Sequence, residues 1–139
     1  MLVSKIEIPI RFSEVDSLRV VWHGHYLKFF EDGRETFGKE FGLGYLDIFE
    51  ADGLAVPIVD ISLQYKRPLE YGDSAIVETT FINSPAAKLQ FEYKVFSAKH
   101  NYLACSGKSL QVFMNAKTKE LYITNPPFFE AWKSKHQLS

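Results

Sequence analysis

Asp16 and His23 are the residues from which chemistry could start. The acid follows an alternating apolar segment, and seven positions later His23-Gly24 opens the longest helical pattern in the chain. A helix start carries free backbone N–H groups and partial positive charge. A carboxylate facing such a start can attack a carbonyl or activate a water, while the N–H groups hold the developing oxyanion. That is an arrangement for acyl chemistry. The competing readings of the same residues are less complete. His23 and His25 could begin a metal site, but no motif supplies a third ligand, and no metal is expected. Ser13 and Ser17 lie near Asp16 and His23 without a nucleophile-elbow signature. Glu14 and Asp16 could pair as two carboxylates, as glycosidases require, yet nothing else points to sugar, and Glu14 is read as solvated. A second run, Tyr65-Lys66-Arg67-Pro68-Leu69-Glu70-Tyr71-Gly72-Asp73, places two adjacent cations at a strand end, where they could meet ligand phosphates. Taken alone, Lys66 reads more readily as a solvated charge at a strand end.

The elements that must position these groups follow from periodicity. Residues 3–12 alternate, with Ile6, Ile8, Ile10 and Phe12 on one face, which predicts a half-buried strand. Pro9 marks it as an edge or bulged strand. Residues 24–42 predict a helix whose apolar stripe is Tyr26, Phe30, Gly33, Phe37 and Phe41, with His25 as a candidate N-cap. Gly33 on that stripe would let a sheet approach closely. Residues 45–52 add a helical turn capped by Gly53. Four strand patterns follow, at 54–66, 74–83, 88–98 and 102–114, with a bend expected near Pro57. In the first, Val59, Ile61, Leu63 and Tyr65 share a face. Asn125-Pro126-Pro127 enters a short closing helix around Phe128, Phe129 and Trp132. Strands joined by turns this short are antiparallel. The fold class is therefore α+β, a five-stranded antiparallel sheet packed on one long helix, in a single domain over 1–139. The sheet face away from the helix is apolar enough to predict a homodimer or larger oligomer.

Composition narrows the function classes. A formal net charge of −1 and no run of more than two cations argue against nucleic-acid binding. One cysteine, Cys105, leaves no intrachain disulfide and no Cys-based zinc site. The N-terminus lacks a signal-peptide pattern and no apolar run approaches a membrane span, so a cytoplasmic location is expected. Aromatics at 15% exceed what solubility needs and must fill a core, a ligand site or an interface.

Four segments together, Phe12-Ser-Glu-Val-Asp16, Val20-Val-Trp-His23-Gly-His-Tyr26, Phe30-Glu-Asp-Gly-Arg34-Glu35 and the Tyr65–Asp73 run, resemble the 4-hydroxybenzoyl-CoA thioesterase-like family of acyl-CoA thioesterases. The resemblance spans about residues 5 to 114 and implies a hot-dog fold, a sheet wrapped around a central helix. It implies pairing into a homodimer or homotetramer with sites at the dimer interface. It implies that Asp16 acts as nucleophile or general base and that the backbone N–H of His23 polarises the thioester carbonyl. Gly24, Tyr26, Lys66 and Arg67 become candidate substrate contacts, the last two for coenzyme A phosphates. No cofactor is implied beyond the coenzyme A of the acyl-CoA substrate. The chain departs from the family at Leu18 and Arg19, where a small residue and glycine are usual, and at His25, where asparagine is common. A thiol is a good leaving group, ionising near pH ~8.5, so no metal is needed to expel it. Two alternatives use the same fold: a non-catalytic acyl-CoA-binding protein, and an enoyl-CoA hydratase or dehydratase.

Overall fold

The computed structural model describes residues 1–138. Strand β1 (Val3–Pro9) leads through a 3-10 turn (Phe12–Glu14) and a second one (His23–His25) into helix α1 (Tyr26–Phe41). Helix α2 (Tyr45–Asp52) and a two-residue strand, β2 (Leu54–Ala55), follow. Then come β3 (Ile58–Tyr65), β4 (Ser74–Ile82), β5 (Lys88–Ser97), β6 (Leu103–Val112), β7 (Met114–Asn115) and α3 (Pro127–Lys135). Five strands form one antiparallel sheet in the order β1-β4-β5-β6-β3. The bend expected near Pro57 separates β2, which pairs with β7, from β3.

Helix α1 lies on the concave face because its apolar stripe meets the alternating apolar face of the central strands. Phe29, Phe30 and Phe37 are fully buried, as are Val77, Leu89, Tyr93 and Val95 opposite them. Phe30 stacks on Tyr93 with ring centroids 4.2 Å apart and an interplanar angle of 8°. Each such fully buried ring contributes about 1.5–3 kcal/mol. Gly33 is where helix and sheet come closest. A Cβ there would land on the Thr79 hydroxyl and 3.0 Å from Cγ1 of Val77. Helix α3 closes the far end of the core, stacking Trp132 on Phe129 and setting Trp132 edge-on to Phe81. The Trp132 indole N–H donates to the carbonyl of Phe41 at 2.7 Å, satisfying a carbonyl of the last turn of α1.

Three expectations are corrected. Phe12 is 77% exposed, because the chain leaves the sheet after Pro9 and enters a 3-10 turn, ending the alternation. Glu14 is buried, its Oε1 accepting the Arg11 N–H at 2.7 Å within that turn. Val59 and Tyr65 are more than half exposed while Ile61 and Leu63 pack on the core, because the register of this edge strand shifts between Ile58 and Asp60 and Tyr65 is its last residue. No helix among the described residues is long and apolar enough to cross a membrane.

Candidate active site

Asp16 sits near the tip of a miniature hairpin. Residues 14–16 run antiparallel to 20–22: the Asp16 N–H donates to the Val20 carbonyl and the Trp22 N–H to the Glu14 carbonyl, both at 2.9 Å. At the tip, Oδ1 of Asp16 accepts the Leu18 N–H at 2.8 Å, and the Arg19 N–H donates to the Asp16 carbonyl at 3.0 Å. Arg19 stands at φ 65, the left-handed region that favours glycine. The backbone thus keeps a glycine-like conformation at the position where the sequence departs from the family. Among the described residues, Oδ2 of Asp16 takes no hydrogen bond, and the carboxylate is exposed.

The second sequence run is fastened to this hairpin. The Val21 N–H donates to the Leu69 carbonyl at 2.8 Å and the Tyr71 N–H to the Arg19 carbonyl at 3.0 Å. Asp73 anchors the run in turn. Its carboxylate accepts the Ser74 N–H at 2.6 Å, the Lys99 N–H at 2.9 Å and the Ser97 hydroxyl. Burial pushes its pKa up, but these three hydrogen bonds and the nearby His100 outweigh that and hold it below the usual carboxylate range.

The hairpin delivers the chain into the start of α1. The His25 N–H donates to the Trp22 carbonyl at 2.9 Å, whereas no turn, loop or cap hydrogen bond among the described residues uses the N–H of His23 or Gly24. These are the orphan donors of a helix start. The Tyr65 hydroxyl donates to the His23 carbonyl at 2.8 Å and fixes this turn from the end of β3. Gly24 lies under the Trp22 indole, and any Cβ there would enter the ring. His25 occupies the N-cap position as expected, but its side chain makes no cap bond; its ring packs edge-on to Trp22 instead. Tyr26 is 3% exposed and packs edge-on against Phe29 and Tyr65, and burial pushes its phenol up to about 12.

Lys66 and Arg67 directly follow the Tyr65 anchor, so both cations emerge beside the helix start. Their N–H groups share the Ala104 carbonyl, at 2.8 and 3.1 Å, and both side chains are exposed. The Arg67 guanidinium lies 4.0 Å from the centre of the Tyr102 ring. Among the described residues neither cation has a carboxylate partner within ion-pair distance.

The periodicity missed a cavity of about 630 Å³ beside the second half of α1. Arg34, Tyr45 and Gln111 supply its polar wall, and Leu43, Val56 and Ile58 part of its apolar one. Arg34 lies in the Phe30–Glu35 segment but carried no expected role. Its signal was position: it falls four residues after Phe30 and three before Phe37, on the buried stripe.

The profile of the thioesterase-like superfamily matches residues 10–133, which takes in the hairpin, the helix start, the Tyr65–Asp73 run and every strand of the five-stranded sheet except β1. The chain belongs to this superfamily. YneP of Bacillus subtilis (strain 168), a proposed acyl-CoA thioesterase, is 38% identical over 97 residues, 70% of each chain. The crystal structure of a DHNA-CoA thioesterase from Staphylococcus aureus superposes with a TM-score of 0.86 at 27% identity, covering 99% of this chain and 92% of that one. A 4-hydroxybenzoyl-CoA thioesterase solved with 4-hydroxybenzoyl-CoA superposes at 0.83 with 16% identity, covering 95% and 99%, a likeness of fold. This thioesterase-like chain accordingly has the hot-dog fold, with α1 wrapped by the five-stranded sheet.

Proposed function

We propose that this protein hydrolyses acyl-CoA thioesters, with Asp16 as nucleophile or general base and the backbone N–H groups of His23 and Gly24 as the oxyanion site. The observation that carries the reading is the single hairpin that presents an exposed carboxylate and leads directly into a helix start with two unused donors. The thioester carbonyl oxygen would lie against those N–H groups, whose positive end favours the charge that develops on it. As nucleophile, Asp16 bonds to the carbonyl carbon, the C–S bond breaks, and coenzyme A leaves as thiolate. Water then splits the resulting anhydride and returns the carboxylate. As base, Asp16 takes a proton from the attacking water, and the same C–S bond breaks. Lys66 and Arg67, unpaired and beside the helix start, suit the coenzyme A phosphates. Gly24 lets the Trp22 indole close directly over the turn that carries the donors, and the buried Tyr26 packs beneath that turn against Phe29 and Tyr65, which supports both as residues that shape the substrate site.

The assembly we infer is a homodimer or homotetramer. Its support is the free edge of β3, where Ile58, Val59 and Tyr65 expose apolar surface next to unpaired backbone groups.

The test is thiol release from a panel of aliphatic and aromatic acyl-CoAs. The wild type should turn over at least part of the panel, and Asp16→Asn should lower kcat by about a hundredfold or more without changing Tm by more than a few degrees. Full activity in Asp16→Asn would overturn the mechanism. Tight acyl-CoA binding without thiol release would indicate a binding protein instead, and hydration of an enoyl-CoA with its thioester intact would indicate a hydratase.

A further inference from the structure

Arg34 is a charge in the interior without a counter-charge. It is 6% exposed, and among the described residues no carboxylate lies within ion-pair distance of it. Its Nη1 donates to the Tyr93 hydroxyl at 2.9 Å, and that hydroxyl also meets the Ser109 hydroxyl at 2.5 Å. Its buried Nε has no hydrogen-bond partner. Burying a guanidinium costs several kcal/mol unless it is paired or fully hydrogen-bonded, and the neutral hydroxyls that Arg34 meets, Tyr93 and the nearby Tyr45, compensate it only in part. The residue also lines the cavity of about 630 Å³. The other polar groups on that wall are already engaged with each other: the Tyr45 hydroxyl donates to Oε1 of Gln111 at 3.0 Å, and Nε2 of Gln111 donates to the Val56 carbonyl at 2.8 Å. The acids nearby lie at the solvent rim. Glu31 and Asp47 are exposed, and Glu35 is exposed and held by Lys39 at 3.1 Å. The cavity thus has an acidic rim, apolar sides and a guanidinium on its inner wall.

Its position relative to the reacting centre follows from helix geometry. Leu27, Glu31 and Arg34 recur at spacings of four and three, so they share one face of α1. Leu27 is 40% exposed although it is apolar. From Gly24 to Arg34 the helix rises about 15 Å. A group that starts at the His23–Gly24 donors and follows this face passes Leu27 and ends at the cavity.

Building on the thioesterase reading, we infer that the cavity receives the distal part of the acyl group, and that Arg34 selects acyl groups carrying an acceptor oxygen there, carboxylate or hydroxyl, over plain hydrocarbon. A guanidinium only donates hydrogen bonds, so the group that satisfies it must accept them. A hydrocarbon end would leave the charge uncompensated. The length of the helix face requires a long or multi-ring acyl group; an acetyl group does not reach Arg34.

The experiment compares matched acyl-CoA pairs of equal length, one plain and one bearing a terminal carboxylate or hydroxyl. In the wild type the best oxygenated thioester should exceed its plain partner in kcat/KM by about tenfold or more. Arg34→Met, with its fold checked by circular dichroism, should bring the two within about threefold of each other, the residue left by a lost charged hydrogen bond. Should that variant not fold, Leu46→Trp narrows the same cavity from an exposed rim position. It should lower kcat/KM for long oxygenated thioesters far more than for acetyl-CoA. A wild type that prefers the plain thioesters, a preference that survives Arg34→Met, or long and short substrates equally affected by Leu46→Trp each overturns the inference while leaving the thioesterase reading standing. A wild type that releases thiol from no acyl-CoA overturns both.

Discussion

The Tyr65 hydroxyl reaches the carbonyl of His23 across 42 residues of sequence and closes on it at 2.8 Å. Strand β3 and the start of α1 are joined at that point and so, through the next two residues, are the basic pair and the proposed oxyanion donors. Tyr65→Phe tests this joint. The ring is 54% exposed, so its hydroxyl should contribute about 1 kcal/mol or less to stability. Thermal unfolding should barely move, while kcat/KM for acyl-CoA falls by about tenfold as the donors lose their register. An unchanged kcat/KM would mean that the turn holds its geometry without the bond.

Gly33→Ala should destabilise the protein even though alanine is the better helix former by about 1 kcal/mol. The new methyl would strike the Thr79 hydroxyl, which is itself buried and without a hydrogen-bond partner. Overpacking of this kind costs about 1–3 kcal/mol. Urea denaturation of Gly33→Ala, Thr79→Ala and the double variant should show the pair recovering part of the loss. Strict additivity would place the clash elsewhere.

Asp73 makes stability depend on acid. Its folded pKa is held below the ordinary value, so its contribution is fully present above the unfolded pKa of ~3.9 and is lost as pH falls through the lower folded value. Chemical denaturation between pH 7 and pH 3 should show that loss in the wild type. Asp73→Asn should be less stable at pH 7 by about 1–3 kcal/mol and should show a shallower decline on acidification. Parallel curves for the two proteins would contradict this assignment.

Cys105 should resist thiol reagents in the native protein. It is fully buried, and burial pushes its thiol up to about 11, leaving almost no thiolate at neutral pH. Labelling by a chromogenic disulfide should become rapid only in denaturant, with a midpoint matching global unfolding. Fast labelling of folded protein would indicate local opening of β6.

Much of the fold was legible because it obeys single periods. The alternation of Leu89, Phe91, Tyr93 and Val95 named the buried face of β5, and the stripe through Phe30, Gly33 and Phe37 named the buried face of α1. The errors fall where a period ends or a charge interrupts it. Phe12 continues the alternation of β1 in sequence but not in space, since the strand has already ended at Pro9. Glu14 is a charged residue in a turn, and nothing local reveals that its carboxylate is spent on the Arg11 N–H. Arg34 obeys the helical stripe but carries a charge, so a polarity pattern assigns it to solvent; only the opposed Tyr93 shows otherwise. For the candidate site, the order of motifs pointed to segments that the fold does fasten together. How they are held did not show, because the bonds from Val21 to Leu69 and from Tyr65 to His23 join segments that no short window contains.

Helix α1 is gripped at both ends by side chains distant in sequence, Tyr65 at the carbonyl of His23 and Trp132 at the carbonyl of Phe41. A shift of the helix along its own axis would break both grips at once. The helix is therefore a fixed datum for the proposed reaction, against which the surrounding walls can vary. On the proposed mechanism, substitutions lining the cavity beside its second half would change which acyl group fits without moving the proposed oxyanion donors. A protein built this way can drift in substrate while its chemistry stays in place.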